Sequence, residues 1–175
     1  MILDTQKMDE IVNKVANSGL ITIDLEELYP SGEIVLLDIK PWLFEEMILK
    51  EKDFREYIKQ HDWQQYSGKN VAVSCSVDAI VPTWAYMLVA TNLSPVAKTV
   101  YWGNVEQMLV HLFQETIKAI NPLDYKDQRI IIKGCSGKEV PVSAYVEVTR
   151  KLQPHVKSIM YGEPCSTVPV YKRKD

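Results

Sequence analysis

The sequence predicts an α/β fold: a mixed, mostly parallel sheet with helices packed on it, preceded by N-terminal hairpin-like strands. Three observations carry this. From residue 71 onward, strand-like and helix-like periodicities alternate, the pattern of parallel strands joined by crossover helices. Ile130-Ile131-Ile132 runs without a polar break, as in a strand covered on both faces. A stretch of chain is also repeated. Residues 81–103 and 140–162, at an offset of 59, share nine of 23 positions, where composition alone gives roughly one or two. With its leading strand the repeat covers 71–103 and 130–162, an internal β-α-β duplication inside a single domain spanning 1–175.

Residues 6–18 read as a short amphipathic helix with Met8, Ile11, Val12 and Val15 on one face, stopped by Asn17-Ser18-Gly19. Residues 20–25 and 33–39 alternate as strands around the turn signal Tyr29-Pro30-Ser31-Gly32, so they read as a hairpin with a long loop. Pro41 opens a helical stretch with Trp42, Leu43, Phe44, Met47 and Ile48 as its apolar face. A helix over 52–60 carries Phe54, Tyr57 and Ile58, and a strand follows at 71–74. Next come a helix over 82–93, a strand over 98–102 and a helix over 104–120. In this last helix Asn104 and Gln107 make a capping box, and Met108, Leu109, Leu112, Phe113 and Ile117 make the core face. A strand at 129–133, a helix at 141–152 and a strand at 158–161 complete the sheet of five or six strands. Residues 165–171 read as the start of a third unit, and 171–174 as a solvated basic end.

Composition bounds the function. With 175 residues, 46% apolar and 25% charged, the chain is an ordinary globular one. A net charge of −3 and a pI near 5.7 give no reason to expect nucleic acid or an anionic membrane as partner. No apolar run is long enough to cross a bilayer, and the N-terminal residues lack the pattern of a secretion signal, so the expected location is cytoplasmic.

Cys75, Cys135 and Cys165 are an odd set with no Cys-x-x-Cys pair. In a reducing compartment they are core residues, ligands or reactive thiols. Cys75 and Cys135 match if one residue is inserted in the first copy of the repeat. Both then fall at carboxyl ends of strands, the edge where parallel sheets bind ligands, and Cys165 follows the last strand. Three thiolates suit an iron–sulfur cluster, iron or zinc. Asp78, Glu139, Glu163 and His155 are candidates for a fourth ligand. Against this stands the frequency with which cysteine is simply buried. Ser76, Ser136 and Ser166 either satisfy loop backbone or line an anion site, but no glycine-rich nucleotide-binding pattern accompanies them. Tyr86 and Tyr145 fall four residues after the helix-opening prolines, where packing with the hydroxyl at the rim is the plainer account. Trp84 is the candidate interface residue. His61, His111 and His155 are scattered with no orienting acid, so no catalytic residue is assigned; His111 projects away from the apolar face of its helix and reads as solvated.

The stretches DLEELYP (24–30), LKEKDFREYIKQHDWQQY (49–66), IVPTWAYMLVAT (80–91), KGCSGKEVPVSAYVEVTRKL (133–152) and KSIMYGEPCSTVPVYKR (157–173) resemble an uncharacterised bacterial family, domain of unknown function 2480. The family has no assigned catalytic residues to carry over. The resemblance implies an association with SUF-type iron–sulfur assembly genes, and so iron–sulfur assembly proteins as candidate partners. The leading expectation is therefore a non-enzymatic accessory protein of iron–sulfur or thiol-metal metabolism built on a three-cysteine rim. The alternative is a protein-interaction or homo-oligomeric module with the cysteines as structural core. An enzyme with one activated cysteine ranks third, because no partner base stands out.

Overall fold

In the computed structural model, which describes residues 19–134 and 137–174, the chain forms two compact units. One comprises residues 28–119 and the other the described parts of 1–27 and 120–175. The predicted mostly parallel α/β architecture is present. The helix expected over 6–18 lies outside the described residues, as do Cys135 and Ser136.

The central unit, 28–119, holds three parallel strands in the order β2 (Ile34–Asp38), β3 (Asn70–Ser74) and β4 (Thr99–Trp102). Helix α1 (Glu51–Gln60) lies in the first crossover and α2 (Thr83–Leu93) in the second. Helix α3 (Val105–Ala119) follows β4 and packs on β2 and β3. Strand β3 is buried from Asn70 to Val73 because both its faces are covered. On one face, Val71 and Val73 meet Leu37 and Ile39, then Phe54 and Ile58 of α1 and Ala85, Val89 and Leu93 of α2. Full burial of a side chain such as Phe54 stabilises by about 1.5–3 kcal/mol. Helix α1 forms because Phe54 and Ile58 are four residues apart on one face, while Glu51 and Asp53 sit in the first turn, where negative charge is favoured. The capping box at α3 is as predicted: Gln107 N–H donates to Asn104 Oδ1 (2.8 Å) and Asn104 N–H to Gln107 Oε1 (2.9 Å).

The terminal unit has a four-stranded sheet in the order β1 (Leu20–Asp24), β5 (Arg129–Lys133), β6 (Ser158–Glu163) and β7 (Ser166–Lys172). The first three are parallel and β7 is antiparallel to β6. Helix α4 (Val142–Leu152) is the crossover from β5 to β6, seated through Ala144, Val148 and Leu152. Gly162 lies at the β6–β7 reversal with φ +116°, where a Cβ would stand 2.7 Å from the Ser166 carbonyl oxygen, so no other residue fits. Pro169 interrupts β7 at a bulge opposite Ile159 and Met160, tolerable because β7 is an edge strand.

The two units repeat backbone detail at the offset of 59. Ala85 N–H donates to Pro82 O and Ala144 N–H to Pro141 O, both 2.9 Å. Gly68 N–H donates to Val96 O and Asp127 N–H to His155 O, both 2.9 Å. Gly68 and Asp127 both have positive φ (69° and 59°). Asp62 and Asn121 each cap a short 3-10 turn.

Five expectations are corrected. Strands β1 and β2 are no hairpin: each pairs in parallel, β1 with β5 and β2 with β3. The apolar central strand of each unit offers a better partner than a strand across a long loop. The strands accordingly form sheets of four and three rather than one sheet of five or six. The stretch after Pro41 is a 3-10 turn over Lys40–Trp42, then a reversal in which Phe44 and Ile48 exchange backbone hydrogen bonds (2.8 and 3.1 Å) and Glu45 and Glu46 have positive φ. Trp42 and Leu43 are both buried, and the two left-handed residues that follow, Glu45 and Glu46, are incompatible with a continued right-handed helix. Residues 166–172 are strand β7 and no third unit; the basic end that follows is exposed, as expected, with Arg173 Nη1 2.7 Å from Asp127 Oδ1. His111 stacks on Tyr101 at 4.5 Å between ring centroids rather than standing in solvent.

Candidate functional site

At the carboxyl end of β2 and β3, Asp38 Oδ1 accepts from the backbone N–H of Lys40 (3.0 Å) and of Ser76 (3.1 Å), and Oδ2 accepts from Ser76 Oγ (2.5 Å). Burial acts to raise the Asp38 carboxyl, but the Ser76 and backbone hydrogen bonds outweigh it and hold the group below its ordinary range. A carboxylate so occupied clamps two loops together. It also means that Ser76 spends its hydroxyl and its amide on Asp38. Cys75 beside it is half-buried and packs on the central core. Trp84 is drawn inward too, edge-on to Phe54 at 5.9 Å with the Arg55 guanidinium 5.3 Å from its ring. Tyr86 meets Trp102 edge-on at 6.2 Å. Burial pushes its phenol up, and Cys75 adds to this.

The corresponding end of the terminal sheet is ionic. Lys133 Nζ lies 3.1 Å from Asp24 Oδ2 and 3.5 Å from Glu163 Oε1. Its hydrogen bond to Asp24, with the two carboxylates nearby, raises its pKa. Gly137 N–H donates to Glu26 Oε1 (3.0 Å). Both copies of the repeat keep the offset of 59 through the strands, so the residue matching Cys75 is Gly134 and not Cys135. The Tyr145 hydroxyl donates to Gly134 O at 2.7 Å and lies 2.8 Å from where a Cβ on Gly134 would be. That side chain fills the place a cysteine would need.

The predicted ligands are divided between the two units. Cys75 belongs to the central unit and Cys165 to the terminal one. Cys165 is exposed at the β6–β7 turn, so it is not a core residue as the alternative reading expected; a two-residue reversal leaves no room to bury it. Asp78, Glu139 and Ser166 are exposed, and Glu163 is engaged with Lys133. His155 precedes β6 and Cys165 follows it, a separation of six strand residues, or about 20 Å. Among the described residues, no group of three or more His, Cys, Asp or Glu could hold a metal ion.

The structure instead presents two apolar grooves. One of about 570 Å³ runs beside α2, and one of about 610 Å³ beside α4. Five of the seven residues that line the first correspond to residues of the second through the offset of 59. Tyr86 and Trp102 in the first match Tyr145 and Tyr161 in the second, and the second pair is also edge-on, at 5.8 Å. Met87 matches Val146, and Thr83 and Ala90 match Val142 and Thr149. Met87 is 64% exposed and Val146 62%, although both are apolar. Helix α2 has no charged residue in its 11 positions, a composition normal for a helix covered all round. Sequence reasoning singled out Tyr86 and Tyr145 but missed the grooves. The available signal was the recurrence of apolar residues at 87 and 146, outside the core-facing positions.

Among the described residues, no helix is long and apolar enough to cross a membrane. A family model described as "Protein of unknown function (DUF2480)" matches residues 9–173. No curated protein and no solved structure matches the chain.

Proposed function

Since the chain belongs to the DUF2480 family of proteins of unknown function, we propose on geometric grounds that it is a non-enzymatic protein-interaction module that works through the grooves beside α2 and α4. The observation that carries this reading is their correspondence: two apolar, open grooves with matched aromatic walls. Apolar surface kept in water at both places is a standing cost that a bound partner removes. The matching hydrogen bonds and positive-φ positions favour origin of the two units by internal duplication, with the groove as a feature both copies keep. On this reading Cys75 is a packing residue.

The test is site-specific photo-cross-linking in the native cell, with the reactive group at position 87 or 146 and a control at exposed Lys59. A protein adduct is expected at the groove positions and none at the control; no adduct at either groove overturns the reading. Sedimentation of the purified chain tells whether the partner is a second copy.

A thiol–metal role is the second reading, narrowed to the terminal unit. Its support is that Cys135 and Cys165 each come two residues after β5 and β6, which are adjacent parallel strands. Iron or zinc bound stoichiometrically to anaerobically purified protein, and lost on Cys135→Ser or Cys165→Ser, would establish it over the interaction reading.

A further inference from the structure

The two sheets differ at one edge. In the terminal unit β6 is flanked by β5 on one side and by antiparallel β7 on the other. The counterpart of β6 in the central unit is β4, and among the described residues β4 pairs only with β3. Its far edge carries backbone groups facing outward. Gly103 N–H donates inward to Val73 O, and alternate residues of a strand direct their amides to opposite edges. The amides of Val100 and Trp102 therefore face away from β3. In the terminal unit the same positions serve β7: Ile159 is opposite Tyr171, Tyr161 is opposite Val168, and Lys157 O accepts from Arg173 N–H.

A second observation points the same way. Exposed edge strands are normally blunted by proline, lysine or a bulge. Strand β7, the edge of the terminal sheet, has Pro169, a bulge and Lys172. Strand β4, Thr-Val-Tyr-Trp, has none of these, and the Lys98 ammonium just before it is held by Ser31 at 2.6 and 2.8 Å. Coverage differs accordingly: Tyr161, between β5 and β7, is 40% exposed, and Trp102, flanked among the described residues by β3 alone, is 65% exposed.

Resting on the interaction reading, we propose that the β4 edge is a strand-acceptor site. An extended segment of a partner protein adds antiparallel to Thr99–Trp102, as β7 adds to β6. Backbone hydrogen bonds to Val100 and Trp102 supply the pairing, and the α2 groove supplies the selectivity. Strand β7 also defines the chemistry of the occupant. Val170, which the bulge leaves without an opposite residue, lines the α4 groove. The partner segment presents a branched apolar side chain at that place, against Met87 and Trp102. It carries no charge on that face, because the α2 groove has no charged residue to receive one.

The experiment uses the full chain, isotope-labelled, and a capped peptide with the sequence of residues 166–173 as the probe. Amide shifts are expected at Thr99–Trp102 and at the Trp102 indole, with exchange at Val100 and Trp102 slowed by about ten-fold or more. Met87→Asp should weaken the peptide by at least about ten-fold, because it buries an unpaired charge, without changing the melting temperature. Shifts at Ser158–Glu163, which would mean exchange with the chain's own β7, overturn the proposal. So do shifts at Ile34–Asp38, no shift up to the solubility limit of the peptide, or β4 amides already protected in the free chain. A photo-adduct at position 87 with Thr99–Trp102 unmoved by the peptide keeps the interaction reading and overturns the strand mode.

Discussion

Replacing Gly134 by alanine tests the assignment of Gly134, rather than Cys135, as the counterpart of Cys75. The new methyl carbon would stand 2.8 Å from the Tyr145 hydroxyl and 3.2 Å from Leu25 Cβ. Neither neighbour yields easily, since Leu25 is fully buried and the hydroxyl is bonded to Gly134 O at 2.7 Å. Overpacking costs about 1–3 kcal/mol and the lost hydrogen bond about 1 kcal/mol, so Gly134→Ala should destabilise by about 2–4 kcal/mol. Tyr145→Phe alone costs about 1 kcal/mol. Together the two changes should cost less than their sum, because removing the hydroxyl makes room for the methyl group and the same hydrogen bond cannot be lost twice. A coupling of at least about 1 kcal/mol is expected. Urea unfolding of the four proteins in the cycle measures it. Additivity within about 0.3–0.5 kcal/mol would refute the steric argument, and with it the view that Tyr145 occupies the cysteine's place.

Other outcomes follow from the same geometry. His61 lies among Trp42, Trp63 and Tyr66, and burial lowers its pKa below 6.5. The unfolded chain then takes up the proton first, so this stability is complete above pH 6.5 and is lost as pH falls from there through the folded value. Melting curves against pH should show a drop that His61→Gln lacks; parallel drops would remove His61 as the cause. Asp38 is lowered from 3.8, so its contribution is present above that value and is lost as pH falls through the lower folded value. Asp38→Asn should loosen the 75–82 loop, read as faster amide exchange at Ser76, and unchanged exchange there would count against the clamp. Asn104→Ala removes one arm of the α3 capping box and should cost about 0.5–2 kcal/mol in chemical unfolding; no loss would mean that the cap is idle. Cys165→Ser should stay within about 0.5 kcal/mol of wild type, whereas Cys75→Ser, which sets a hydroxyl against the core, should cost about 1 kcal/mol or more. Equal effects would deny Cys75 its packing role.

What was legible in the sequence, and what was not, follows the range of the forces involved. Helices α1 to α4 and strands β3 to β6 came through because each declares itself locally, by apolar spacing, by a cap such as Asn104, or by an unbroken run such as Ile130-Ile131-Ile132. Strand pairing is long-range and carries no local mark. Nothing near Leu20 says that its partner is Arg129. The stretch 41–50 misled because Trp42, Leu43, Met47 and Ile48 fit helical spacing, whereas the positive φ of Glu45 and Glu46 has no sequence signal when neither residue is Gly or Asn. The three cysteines drew attention by chemical type. Their distribution between a core, an exposed turn and residues outside the described set was beyond any spacing argument. The grooves were missed for a related reason. An apolar residue facing solvent looks the same on paper as one facing a core, and only the fold separates Met87 from Val89, at 64% and 0% exposure.

The terminal unit is discontinuous in the chain: β1 is added before residues 28–119 and β5 after them, so Leu20 and Arg129 pair across 109 positions. During synthesis, which proceeds at about 5–20 residues per second, β1 therefore emerges several seconds before its partner strand exists. The central unit is continuous and completes its sheet from residues already made. Its folding shortens the effective loop that β1 must close, since an ordered insert costs less entropy to bridge than a free chain of the same length. Assembly then has a direction, from the middle outward, and β1 waits unpaired until β5 is made. A nascent chain stalled once residue 119 has left the ribosome exit tunnel, with β5 still inside it, should carry a protease-resistant 28–119 unit and an exposed Leu20–Asp24 strand, so an agent that traps this strand would act on it chiefly while the chain is being made.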